Sequence, residues 1–293
     1  MSTVFKNLKI YLNNDNRKSE EYTMFYNAKS CQMMIGSNTV NYIEFGSGKK
    51  TLIILPGLGD GLFPLHGKIQ AIAFAFRYKQ FAKDYKVYVF SRKNQITEKY
   101  STRDMAKDQA DIMKKLGIMK AEVMGVSQGG MIAQYLAIDY PELVEKLVLA
   151  VTSSKQNDTI QNVICSWIDM AKKQNYNDLM IDTAKKSYSE RYLKKYQLFI
   201  PFLGKVGKPK DFKRFIIQAT SCIEHNAFSE LSKITCPTLI IGGANDKIVG
   251  NNASFHLAEK IKKSEIFIYE GLGHATYEEA QDFNERVLEF LNK

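Results

Sequence analysis

Cysteine and histidine are scarce in this chain, four of each in 293 residues. The cysteines, Cys31, Cys165, Cys222 and Cys236, form no Cys-x-x-Cys pair. That removes the sequence grounds for a zinc ribbon or a thioredoxin-like redox centre. A sparse, unpatterned set fits a reducing compartment better than a disulfide framework. Cys236, at the start of an apolar run, reads as a buried thiol. Nowhere do about 20 apolar residues run together, so no membrane-spanning helix is expected. The first residues carry Lys6 and Lys9 among apolar ones and then turn polar from Asn13 to Lys18, with no apolar segment of the length a secretory signal needs. Internal repeats and low-complexity tracts are also missing, and a cytoplasmic protein is expected.

What is present is a large apolar fraction, 45%, enough to build one core of the size usual in α/β folds. The net charge is +10, from 41 basic and 31 acidic residues. A basic surface can serve nucleic acid, an anionic membrane or an acidic substrate. Here Lys and Glu interleave along most predicted helices and no dense basic block occurs, so the charge is read as solubilising. Neither a nucleic-acid nor a membrane partner is expected; a homo-oligomer is left open.

From about residue 30, short β-rich runs alternate with helical patterns. Cys31–Ile35 and Thr39–Phe45 read as an antiparallel pair joined at Gly36-Ser37-Asn38. Thr51–Leu55 and Lys86–Phe90 are continuous apolar runs, the mark of strands covered on both faces. Met105, Ile112, Met113 and Leu116 share a helical face. Ala121–Val126, Leu147–Val151, Thr238–Ile241 and Glu265–Tyr269 read as further strands, Met131–Ile138 as a helix, and Ala280, Phe283, Val287, Phe290 and Leu291 as the stripe of a final helix. Such alternation argues for a doubly wound, mostly parallel sheet of about eight strands. Between Ser153 and Ser232 the alternation stops. Ile160, Val163, Ile164, Trp167, Ile168 and Ala171 recur at helical spacing, and helical patterns follow near 179–184 and 211–223. Roughly 80 residues are too many for a simple crossover. The expected organisation is an N-terminal extension (1–28), a core domain (29–152 and 233–293) and an inserted all-helical cap (153–232).

One motif carries chemistry. Gly125-Val126-Ser127-Gln128-Gly129 follows a predicted strand and opens a predicted helix, the context in which G-x-S-x-G has meaning. A serine on so sharp a turn brings its neighbours against each other and the next strand, so Gly125 and Gly129 are needed, and Gly130 extends the relief. The turn lifts the Ser127 hydroxyl to a helix N-terminus, whose dipole favours developing negative charge. Alone, the pattern also fits a glycine-rich turn that binds phosphate.

A serine nucleophile needs a base and a carboxylate to orient it. Of the four histidines, His66 falls in the segment after the third predicted strand and His225 near the end of the cap, whereas His274 sits in a loop beyond a strand, where parallel sheets hold their sites, and is the favoured base. His256 falls inside a predicted helix, where packing or surface roles prevail. Asp246 follows the Thr238–Ile241 strand at the same sheet edge and is the best-placed carboxylate; a turn or helix-cap role fits it as well. Asp60 is the runner-up, but it precedes the serine.

These segments in this order resemble the α/β-hydrolase family, in the serine branch with a helical cap. The resemblance spans about residues 30–293 and rests on Leu55-Pro56-Gly57-Leu58-Gly59, the Ser127 motif, the run Thr235–Gly242 leading to Asp246, and Gly271-Leu272-Gly273-His274. It implies an oxyanion hole built from the backbone N–H groups of Leu58 and Gln128, and no metal or organic cofactor. The chain departs from the family's pattern twice. Pro56-Gly57 stands where His-Gly is usual. Ser91-Arg92-Lys93-Asn94 stands where an acidic residue and a glycine-rich turn often occur, and an altered surface loop is expected there.

The resemblance implies a carboxylesterase-like serine hydrolase acting on a small molecule with an apolar group. The same triad serves carbon–carbon bond hydrolysis, cofactor-free perhydrolysis, amide cleavage and acyl transfer. Relatives that hydrolyse epoxides or haloalkanes use Asp where Ser127 stands. A non-catalytic small-molecule receptor on the same fold is the reading from another class. The region 153–232 is rich in aromatic and apolar residues, among them Trp167, Met170, Tyr176, Met180, Tyr188, Tyr192, Tyr196, Phe199 and Phe202, which either roof a pocket or pack the cap onto the core.

Overall fold

The computed structural model describes residues 25–205 and 207–293; the expected N-terminal extension therefore lies outside the described residues up to residue 24. Eight strands form one sheet: β1 (Lys29–Ile35), β2 (Asn38–Phe45), β3 (Lys50–Leu55), β4 (Tyr85–Lys93), β5 (Ala121–Val126), β6 (Val144–Ala150), β7 (Thr238–Gly243) and β8 (Ser264–Tyr269). They lie in the order β1-β2-β4-β3-β5-β6-β7-β8. β2 is antiparallel to both neighbours, and every pairing from β4 to β8 is parallel. Gly36, at φ 59°, supplies the positive φ in the β1–β2 turn.

The helices of the sheet are α1 (Lys68–Arg77), α2 (Thr102–Lys115), α3 (Gln128–Asp139), α8 (Ala253–Lys260), α9 (Thr276–Glu279) and α10 (Phe283–Asn292), and four more helices lie in the long β6–β7 connection. Strand periodicity divides them between two faces. Leu52 and Ile54 of β3 join Ala71 and Ala75 of α1 and Phe283, Val287, Phe290 and Leu291 of α10 in one core layer. Ile53 and Leu55 point the other way, into a layer with Met105 and Met113 of α2, Ile132 and Leu136 of α3, and Leu257 of α8. Both faces are apolar, which is why β3 reads as an unbroken apolar run. Helix α2 starts on a reciprocal cap: Ser101 Oγ accepts from Asp104 N at 3.1 Å, and Ser101 N donates to Asp104 Oδ2 at 3.0 Å, an arrangement that stabilises by about 1 kcal/mol.

The β6–β7 connection holds α4 (Asp158–Lys172), α5 (Tyr176–Ser187), α6 (Glu190–Tyr196) and α7 (Lys213–Ile223). Asn157 caps α4 by accepting from Ile160 N at 2.9 Å. The α4 stripe Ile160, Val163, Ile164, Trp167, Ile168 and Ala171 is buried, and packs with Phe215 and Ala219 of α7 against Met131 of α3 and Leu58, Ile248 and Val249 of the sheet's loops. Of the aromatic residues singled out in this region, Trp167 and Tyr176 pack inward, whereas Phe199 and Phe202 are exposed. Tyr188 stacks on Tyr192 at 4.3 Å between ring centroids, and Tyr196 lies tilted against Tyr192 at 4.5 Å.

Three expectations are corrected. Ser91-Arg92-Lys93 is no surface loop: β4 continues through Lys93, and Ser91 and Arg92 are fully buried. Cys236 is half-buried; Cys222 is the buried thiol. Ala280 lies between α9 and α10 in extended backbone, because the closing helix begins only at Phe283.

Candidate active site

The chain order β3, β4, then β5 on the far side of β3 reverses the winding direction of the sheet between β3 and β5, and crevices at such switch points hold ligands. Ser127 stands there. β5 ends at Val126 and α3 begins at Gln128, leaving Ser127 alone to turn the chain, at φ 54° and ψ −120°. A non-glycine residue in that region costs about 1–3 kcal/mol. Hydrogen bonds hold it. Ser127 N donates to Ala150 O at 2.9 Å, and its carbonyl accepts from Gly130 N at 2.8 Å and from Thr152 Oγ1 at 2.7 Å. Crowding explains the glycines. A Cβ on Gly125 would lie 2.4 Å from Gly129 O, and one on Gly129 only 1.9 Å from Leu55 O.

The loops after β7 and β8 bring two more side chains to the same edge. His274 Nε2 lies 2.9 Å from Ser127 Oγ, and Nδ1 lies 2.8 Å from Asp246 Oδ2. The other Asp246 oxygen, Oδ1, accepts from the backbone N–H of Ile248 at 2.8 Å and of Val249 at 2.9 Å. Asp246 thus divides its two oxygens, Oδ1 capping the turn and Oδ2 facing His274 Nδ1. Close approach of these two loops depends on a glycine the sequence did not flag: a Cβ on Gly243 would meet Gly273 O at 2.4 Å.

The remaining histidines are elsewhere. His66 is exposed. His256 stands edge-on to Phe228. His225 is buried between Thr102 Oγ1, 2.9 Å from Nδ1, and Gln134 Oε1, 3.3 Å from Nε2, and burial pushes its imidazole down to about 3. Among the described residues no group of three or more His, Cys, Asp or Glu side chains is arranged to hold a metal ion.

Leu58 and Gln128 flank the serine from β3 and from α3. Leu58 opens a short 3₁₀ turn, Leu58–Gly61. Its neighbour Gly57 lies so near the serine that a Cβ there would be 3.2 Å from Ser127 Cβ. Beneath this loop is a polar cluster the sequence did not announce. Arg92 Nη2 donates to Pro56 O at 2.6 Å and to the Gln128 side-chain Oε1 at 2.9 Å. Asp60, the runner-up carboxylate, is committed here: Ser91 Oγ donates to its Oδ1, and Arg214 of α7 donates to its Oδ2 at 2.6 Å. Burial pushes the Asp60 carboxyl up, but the Arg92 and Arg214 guanidiniums and the Ser91 hydroxyl outweigh it and hold the group below its ordinary range. The one sequence signal was an arginine two residues past the apolar run of a strand.

The long β6–β7 connection touches both halves of the site. Besides Arg214 on Asp60, Ala275 N donates to Ser187 O at 2.8 Å, and Ser189 Oγ donates to Glu279 Oε2 at 2.5 Å, beside the His274 loop.

The family model of the alpha/beta hydrolase fold matches residues 50–167. The crystal structure of MGS-M2, an alpha/beta hydrolase enzyme from a Medee basin deep-sea metagenome library, superposes with a TM-score of 0.77 at 21% identity, covering 90% of this chain and 98% of that one. The chain has the α/β-hydrolase fold. Among curated relatives of this chain, a 2-hydroxy-6-oxononadienedioate/2-hydroxy-6-oxononatrienedioate hydrolase from a Pseudomonas species is 27% identical, over 87% of this chain and 92% of its own length. The serine hydrolase BPHL of Mus musculus is 26% identical, over 89% of this chain and 86% of its own length. No helix among the described residues is long and apolar enough to cross a membrane.

Proposed function

We propose that this α/β hydrolase is a serine hydrolase that cleaves a small ester-type substrate through an acyl-enzyme. The observation that carries the reading is the unbroken hydrogen-bonded path Ser127 Oγ, His274, Asp246, at 2.9 and 2.8 Å, with the serine raised on a strained turn. In this reading His274 Nε2 takes the Ser127 proton as the hydroxyl attacks the carbonyl carbon. Asp246 holds the Nδ1–H tautomer and stabilises the imidazolium. The Leu58 and Gln128 amides receive the oxyanion, each worth about 3–4 kcal/mol in the transition state. The imidazolium then protonates the leaving alcohol, and water activated by His274 clears the acyl group. The cluster of Leu58, Leu62, Met131, Ile164, Trp167 and Ile248 beside these loops favours an apolar acyl or alcohol group.

The test is turnover of p-nitrophenyl esters from acetate to long chains by wild type and Ser127→Ala in parallel. The variant is expected to lose at least about 10³-fold in kcat. Near-wild-type turnover by pure Ser127→Ala protein would sink the reading. The Pseudomonas relative favours a second reading, carbon–carbon hydrolysis of a 2-hydroxy-6-oxo dienoic acid by the same three residues. Loss of the dienoate absorbance with wild type, together with ester turnover far slower than that, would decide for it.

A further inference from the structure

We infer that Arg92 is the positioning residue of the oxyanion hole, fixing from behind the spacing of the Leu58 and Gln128 amides, and that Arg214 couples that spacing to the seating of α7. The inference rests on the serine-hydrolase reading of Ser127. Two segments must supply one donor each: the loop after β3 and the first residue of α3. One atom ties them together. Both hydrogens of Arg92 Nη2 are used, one on Pro56 O at 2.6 Å and one on Gln128 Oε1 at 2.9 Å. Pro56 leads into Leu58 through a single glycine, and Gln128 carries the second amide itself.

The strut is braced on the far side. Gln128 Nε2 donates to Gln218 O at 2.7 Å and to Ser221 Oγ at 3.2 Å, both on α7. From the same helix Arg214 Nη2 donates to Asp60 Oδ2 at 2.6 Å and Gln218 Nε2 to the same oxygen at 3.2 Å. Asp60 belongs to the 3₁₀ turn that Leu58 opens. The helix itself lies on that turn, since a Cβ on Gly61 would be 2.9 Å from Phe215 Cα. A displacement of α7 is therefore passed to both amides.

Stability alone does not account for this cluster. Replacing buried ion networks by well-packed apolar side chains is often neutral or stabilising, and Arg92 Nε is buried with no hydrogen-bond partner. Geometry does account for it. Preorganised donors tolerate little error, and misplacing a reacting group by about 1 Å can cost about 10²-fold in rate. The charge has the right sign as well: two guanidiniums, Arg214 paired with the Asp60 carboxylate and Arg92 near enough to act on it through its charge, face one negative group, leaving positive charge behind the amides that face a developing alkoxide.

The experiment uses the full chain, an ester that Ser127→Ala fails to hydrolyse, its thionoester, and a trifluoromethyl ketone that forms a tetrahedral adduct. Arg92→Lys keeps the charge on a shorter side chain with a single nitrogen. Its kcat on the ester is expected to fall about 10–100-fold with KM within about 3-fold. The thionoester, whose sulfur is a poor acceptor, should slow far less, so the ester-to-thionoester preference shrinks and ketone affinity weakens in parallel. Arg214→Gln should shift the same ratio in the same direction by a smaller factor. Arg103→Gln removes an exposed arginine bonded to Asp139 and Glu230; it should lower Tm without moving the ratio. Should Arg92→Lys fail to fold, Gln128→Met removes the strut's acceptor while leaving the amide. A folded Arg92→Lys or Gln128→Met protein with wild-type kcat and wild-type preference overturns the inference alone. A wild type with neither ester turnover nor fluorophosphonate labelling overturns the serine-hydrolase reading and this inference with it.

Discussion

Asp246→Asn separates the two tasks proposed for this residue, capping its turn and orienting His274. In the native arrangement Oδ1 accepts from the Ile248 and Val249 amides and Oδ2 faces His274 Nδ1. An asparagine has one acceptor end and one donor end. Two fixed N–H donors at the Oδ1 position demand the acceptor there, so the turn is preserved and the NH₂ group is aimed at His274. Nδ1 must then be the unprotonated nitrogen, which places the imidazole proton on Nε2, facing Ser127 Oγ. The base is lost while the fold is kept. In a Ser-His-Asp protease the corresponding change costs about 10⁴-fold, which is about 5.5 kcal/mol of transition-state stabilisation. We expect a fall of about 10³–10⁴-fold in kcat for p-nitrophenyl ester hydrolysis, a KM within about 3-fold, and a Tm within roughly 3 °C of wild type. Fluorophosphonate labelling should slow in step. An asparagine variant that retains kcat within about 10-fold of wild type would refute the orienting role and leave Asp246 a turn residue.

Two further outcomes follow from packing and burial. Gly129→Ala puts a Cβ 1.9 Å from Leu55 O, a backbone atom that cannot swing away; α3 must retreat from β3, with an expected loss of about 3 kcal/mol or more, read as a Tm lower by roughly 6 °C or more, and the Gln128 amide moves with it. An Ala variant with native Tm and rate would show that the elbow is looser than these distances indicate. His225 is held neutral by burial, down to about 3 against 6.5 when unfolded. The unfolded chain therefore binds the extra proton first, and stability present above about pH 6.5 is lost as the pH falls toward about 3, amounting to about 2 kcal/mol at about pH 5. Denaturant titrations should show a shallower loss over that range in His225→Gln; parallel curves for the two proteins would remove His225 as the cause.

The legible parts of this molecule are those in which local sequence and tertiary demand coincide. Strands β3 to β7 are apolar on both faces, so their sequence runs announce them whatever the partner. The serine turn needs glycine at fixed offsets: Gly125 must clear Gly129 and Gly130 within five residues, and Gly129 must clear the Leu55 carbonyl of the neighbouring strand β3. Asp246 and His274 were readable because the sheet places them: each follows a strand of the same parallel set, and parallel strands end on one edge. Arg92 was not readable, because nothing within a few residues of it specifies burial. Its environment is assembled from β3, α3 and α7, residues 36 to 122 positions away in the chain. A solvent-facing loop is the sound default for Ser-Arg-Lys-Asn, and long-range ion pairing overrides it. Gly243 escaped for the same reason, since the atoms it must avoid, Leu272 O and Gly273 O, belong to the next loop.

Two of the five non-glycine residues with positive φ among the described residues stand at the site. Ser127 at φ 54° and Val151 at φ 45° end adjacent strands, and Val151, being β-branched, is the less tolerant of a positive φ. Each is pinned through the other's strand: Ser127 N donates to Ala150 O, and Thr152, just after Val151, donates to Ser127 O. The chain leaves this pinned corner directly into the connection that carries α4 to α7, and that connection returns to grip the Asp60 turn through Arg214 and the His274 loop through Ser187 and Ser189. The Asp60 turn and the loop carrying His274 are thus both anchored to a single stretch of helices, one at each end of the crevice. A rigid swing of that stretch would break the Arg214–Asp60 pair inside the protein, where separated charges are poorly solvated and the penalty reaches several kcal/mol. Substrate access should therefore depend on local side-chain movement between the anchors, and substitutions in α7 should register in kcat before they register in KM.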